Sequence, residues 1–122
     1  MNIEDYLAAL DTKLHEMVPL IAASSIEREI DSNTGIGLVR GTIRFVNGSR
    51  FEFTEQLPTD RRKFRLHYMD AANKLIVRWD SAPHHKELAT FPFHLHKADK
   101  VEAHNAITAL DALDQIARML KV

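Results

Sequence analysis

Val39-Arg40-Gly41-Thr42-Ile43-Arg44-Phe45-Val46-Asn47-Gly48-Ser49-Arg50-Phe51-Glu52-Phe53 is the stretch that decides the fold. Val39, Gly41, Ile43 and Phe45 alternate with Arg40, Thr42 and Arg44. Past Asn47-Gly48, Phe51 and Phe53 alternate with Arg50 and Glu52. A period of two sends the two sets to opposite faces of a strand. Asn-Gly tolerates positive φ at both central positions of a type I′ turn, so the stretch predicts a β-hairpin.

The same period continues on either side. Leu57-Pro58-Thr59-Asp60 interrupts it; Phe64, Leu66 and Tyr68 then oppose Arg65, His67 and Met69. Ala71-Ala72-Asn73 makes a turn, and Leu75, Val77 and Trp79 oppose Ile76, Arg78 and Asp80. Upstream, Ile26 and Ile30 alternate with Glu27 and Glu29 ahead of a Ser32-Asn33-Thr34-Gly35 turn. Residues 3–23 have helical spacing through Ile3, Leu7, Leu10, Leu14, Met17, Val18 and Ile21. Asn2 is their predicted cap, and Pro19 should kink or end the helix near Val18. Residues 81–100, interrupted by Pro83 and Pro92, read as a long ordered loop of the kind that often carries function. A second helix is predicted over 105–121 from Ile107, Leu110, Leu113, Ile116 and Leu120, with Asn105 as cap. The expected fold is one α+β domain over residues 1–122. About five antiparallel strands are flanked by an N-terminal and a C-terminal helix. The pattern leaves open a homo-oligomer in which the last helix packs on another protomer.

With 122 residues, 45% of them hydrophobic and 27% charged, the chain can bury a core and is not expected to be disordered. It has no cysteine, which excludes disulfides, thiolate metal sites and cysteine nucleophiles. No apolar run approaches the ~20 residues of a membrane helix, and the acidic start lacks a signal-peptide pattern. A cytoplasmic protein without a membrane partner is expected. G-x-G-x-x-G, P-loop and G-x-S-x-G patterns are missing, so nucleotide binding and acyl transfer gain no support.

Net charge is −1, unevenly spread. Residues 1–60 hold five Lys/Arg against ten Asp/Glu; residues 61–100 hold nine against four, with five of the seven histidines. A basic, imidazole-rich segment suits an anion-facing surface. Imidazole exchanges protons near neutral pH, and guanidinium binds phosphate in bidentate fashion. If the strands bearing His67 and Arg78 pair, the two side chains share a face. With His84 and His85, they suit metal-independent RNA cleavage, with Arg62, Arg65, His94 and His96 as substrate-binding groups. Two other readings compete. His84, His85, His94 and His96 are also candidate zinc ligands for a metal-dependent hydrolase. Alternatively, the Pro-aromatic-His loop shapes an interface without catalysis. His15 reads as a solvated residue of the first helix, His104 as part of the entry to the last helix, and Trp79 as core.

His67-Tyr68-Met69-Asp70, Leu75-Ile76-Val77-Arg78, Asp80, Ala82-Pro83-His84-His85 and Phe91-Pro92-Phe93-His94-Leu95-His96 together resemble the TumE-like family of toxins. The resemblance covers residues 64–97. Trp79 departs from it, where Tyr is more usual, as does Lys86-Glu87-Leu88-Ala89, where a proline-containing stretch is more usual. It implies a toxin neutralised by a cognate antitoxin protein, typically one with a DNA-binding segment, and supplies no mechanism. The expected architecture is also similar to ribonuclease toxins of the RelE and barnase kind, an analogy of fold alone.

Overall fold

A computed structural model of the chain describes residues 2–57 and 63–121. Helix α1 spans Ile3–Glu16, and Asn2 caps it by accepting the Asp5 N–H at 2.8 Å. It is shorter than its apolar spacing predicts. Pro19 lacks an N–H, so Val18–Leu20 closes as a single 3₁₀ turn and the chain continues as a strand from Ile21. The strands are β1 (Ile21–Ile30), β2 (Gly37–Phe45), β3 (Arg50–Leu57), β4 (Phe64–Met69), β5 (Leu75–Asp80), β6 (His94–Lys97) and β7 (Lys100–Ala103). Helix α2 follows over Ala109–Leu120.

The class is α+β, as expected, but the sheet has seven strands rather than about five. It is an antiparallel meander in the order β1 to β7. The additional hairpin, β6–β7, lies where a loop was expected, so the loop covers only 81–93. Strands of four residues are too short to display an alternation, and Pro92 just ahead of β6 masks the start.

The decisive hairpin forms with Arg44 opposite Arg50. Its turn differs from the expected one. Phe45 N–H donates to Ser49 O and Gly48 N–H to Phe45 O, both at 2.9 Å. Gly48 has φ +89, while Asn47 is not left-handed. This is a three-residue connection with one left-handed glycine, not a type I′ turn.

One face of the sheet is closed by both helices. Val39, Ile43, Phe45, Phe51, Leu66, Tyr68, Val77 and Trp79 are buried there with Tyr6 and Leu10 of α1 and Ala112, Leu113 and Ile116 of α2. The last helix therefore packs on its own sheet. Its cap is Thr108, in a reciprocal capping box with Asp111, rather than Asn105. Gly41 is bare for a reason of space: a Cβ there would lie 2.4 Å from the Phe53 ring, which stacks on Phe51.

Glu55 is buried on this closed side. Its carboxylate accepts the Tyr6 hydroxyl at 2.5 Å and the Ala109 N–H, at the start of α2, at 3.0 Å. Burial raises the pKa of Glu55. Burial and the neighbouring carboxylate also raise that of Tyr6. Outside the core, Asp11 pairs with Arg28 and Lys13 with Asp114.

Candidate functional site

The second face of the sheet carries the polar residues. Arg40, Thr42 and Arg44 are exposed there on β2. The register aligns one row of side chains across four strands: Glu52 opposite His67, His67 opposite Arg78, and Arg78 opposite His96. The adjacent row runs Arg40, Thr54, Arg65, Asp80 and His94. Residues directly opposite in antiparallel strands have Cβ atoms ~5 Å apart, so each row is a continuous line of neighbours. A shallow depression beside the first row is lined by Arg40, Thr42, Glu52, Thr54 and Arg65.

His67 is the chemically distinctive member. Its Nε2 is buried and makes no hydrogen bond among the described residues. Desolvation lowers its pKa, and Arg65 and Arg78 lower it further, while Glu52 opposes them. The ring is therefore neutral at pH 7, with a nitrogen able to accept a proton. Arg78 lies beside it, with Nε 3.5 Å from Asp80 Oδ2, an ion-pair distance without a hydrogen bond. Asp80 Oδ1 instead accepts the Ala82 N–H at 2.6 Å and fixes the start of the loop. Arg50 reaches Glu52 at 3.3 Å and Met69 Sδ at 3.5 Å.

The loop after β5 is built from tight turns, with His84 N–H to Ala82 O, Leu88 N–H to His85 O and Phe93 N–H to Thr90 O. Phe93 stacks on Phe64, which holds the end of the loop against β4. The fold separates the two adjacent histidines. His84 is exposed, whereas His85 turns inward and meets His94 and His96 edge to face, with ring centroids 4.9 and 5.7 Å away. His94 and His96 are 4.8 Å apart.

The structure thus brings His67, Arg78 and Arg65 together, and gathers His85, His94 and His96 beside them. It leaves His84 outside that group. Arg62 lies outside the described residues. Sequence reasoning missed Arg40, Arg44 and Arg50, which share the open face although they belong to the acidic half of the chain. Their signal was present in the hairpin: each has the polar parity of its strand, and that parity continues into Arg65 and His67.

Fold and site together define a class: a small α+β protein with one sheet face closed by helices and the other bearing an arginine and histidine array. The chain matches the family model described as toxin TumE over residues 10–122, and it belongs to that family. It is a toxin of a toxin–antitoxin system, which implies an antitoxin partner. No curated protein and no solved structure matches it. Among the described residues, no helix is long and apolar enough to cross a membrane.

Proposed function

We propose that this toxin is a metal-independent endoribonuclease that binds RNA on its open sheet face. The observation that carries the reading is the buried, unpartnered Nε2 of His67, in line with Glu52 and Arg78 and beside Arg65. Once the bound RNA displaces the side chains that cover its Nε2, neutral His67 takes the proton of a ribose 2′-hydroxyl. The resulting 2′-oxygen attacks the adjacent phosphorus. Arg78 and Arg65 stabilise the charge that builds on the phosphoryl oxygens. The bond from phosphorus to the 5′-oxygen breaks, and that oxygen takes a proton from solvent water, which His67 restores with the proton it removed. The products are a 2′,3′-cyclic phosphate and a free 5′-hydroxyl.

The first test is growth after tightly induced expression, with total RNA examined alongside. The wild type should arrest growth and cut RNA. His67→Ala should do neither while remaining folded, and Arg78→Ala should act far more weakly. Arrest by His67→Ala as strong as that of the wild type would overturn the assignment and favour a toxin acting through an interface alone.

A further inference from the structure

We propose that His85, His94 and His96 form a binding site for one zinc-class divalent ion, which ties the 81–93 loop to the edge of the sheet. This site adjoins the proposed RNA-cleavage surface, with His96 opposite Arg78, but binding of the ion does not depend on cleavage. One ring nitrogen from each histidine lies within 4.8 Å of the others. A tetrahedral zinc ion with bonds of ~2.0–2.1 Å holds its ligand atoms about 3.3 Å apart. Closing the gap needs a shift of about 1.5 Å, within the reach of small ring rotations.

The surroundings orient two of the three rings as metal ligands are oriented. His94 Nδ1 lies 2.9 Å from Pro92 O. A carbonyl only accepts, so Nδ1 carries the proton and Nε2 keeps its lone pair. His85 Nδ1 faces Glu87 Oε1 at 3.3 Å, which leaves its Nε2 free in the same way. A carboxylate or carbonyl behind each imidazole is the usual outer shell of a histidine–zinc site. The backbone explains the convergence. His94 and His96 have the same parity on β6 and point to one face. His85 comes back over them because the loop folds onto that face. Three imidazoles leave one coordination position for water. The ion would add to the loop's existing ties: the Ala82 N–H to Asp80 Oδ1, the His104 N–H to Thr90 Oγ1 and the Phe64–Phe93 stack.

The test uses the full chain, purified without a histidine tag, and Zn²⁺ or Co²⁺ as the probe. The expected result is one ion per chain, with Co²⁺ giving the intense visible absorption of a four-coordinate site. His85→Ala and His96→Ala should each weaken binding at least tenfold. His84→Ala and His67→Ala should leave it unchanged. The bound ion should also slow proteolytic cleavage within the loop. His85 lies on the loop, so its substitution spares the core if His96→Ala fails to fold. No binding by the wild type would overturn the proposal, as would equal binding by His85→Ala or an equal loss in His84→Ala. None of these readouts depends on RNA cleavage, so failure of the metal site and failure of the ribonuclease reading are told apart.

Discussion

Buried polar atoms normally have partners, and leaving one without costs free energy. His67 Nε2 is such an atom at the centre of a row of charged side chains. Its environment has a measurable consequence. Burial, then Arg65 and Arg78, hold its pKa below the ordinary value of about 6.5. The folded protein therefore binds this proton less readily than the unfolded chain. The stability linked to His67 is fully present above about pH 6.5 and is lost as pH falls through the lower folded value. Wild-type protein should unfold at lower urea at about pH 5.5 than at about pH 7.5, and His67→Gln should narrow the difference. An equal difference in the variant would place the acid sensitivity elsewhere. At this scale the sequence was only partly legible. His67 and Arg78 could be matched because parity across a short turn decides their face. His84 and His85 could not be separated, because the backbone of an irregular loop decides which of two neighbours turns inward.

Among the elements, Glu55 joins three: it sits on β3, receives the Tyr6 hydroxyl from α1 and caps the first N–H of α2. Its position was readable as an anomaly, since it shares the apolar parity of Phe51, Phe53 and Leu57. Its partners were not, because they lie 49 and 54 residues away. Glu55→Ala should cost about 1–3 kcal/mol for each buried donor left unpaired. Glu55→Gln, which retains a carbonyl oxygen, should cost less. Thermal unfolding of both checks this, and an Ala variant as stable as the wild type would contradict the role. The central hairpin and the β4–β5 pair were legible because their residues alternate in polarity and their turns carry Asn47-Gly48 and Asn73. The end of α1 was not, since Val18 and Ile21 fit helical spacing equally well until Pro19 forces the chain out of it. The start of α2 moved to Thr108 because its reciprocal bonds with Asp111 satisfy more of the helix end than Asn105 does.

For the whole molecule, the arginines gather by face rather than along the chain. Counted by segment, residues 1–60 are acidic. In the fold, Glu4, Asp5, Asp11 and Glu16 go to α1 and Glu55 to the core. Arg40, Arg44, Arg50, Arg65 and Arg78 converge on the open sheet face, where Glu27, Glu52 and Asp80 pair with Arg40, Arg50 and Arg78. A protein with a net charge of −1 thus presents a guanidinium-rich surface. Binding of RNA to this face should weaken steeply with salt, as phosphate contacts release counterions. Arg40→Ala with Arg44→Ala should lower the salt slope by roughly one per lost phosphate contact and weaken binding to all sequences alike. An unchanged slope would exclude this face as the RNA surface. Segment counting missed the convergence because a meander superimposes strands whose sequence neighbours differ in charge.

The most direct measurement is cleavage of an end-labelled RNA by the purified toxin, beside the same RNA with a single 2′-deoxy residue at the cleaved position. A base that works by deprotonating the 2′-hydroxyl predicts cleavage of the first, with a 2′,3′-cyclic phosphate end, and none at the deoxy position. It also predicts that His67→Ala cuts neither. Cleavage of both RNAs at equal rates, or an undiminished rate with His67→Ala, would contradict the account.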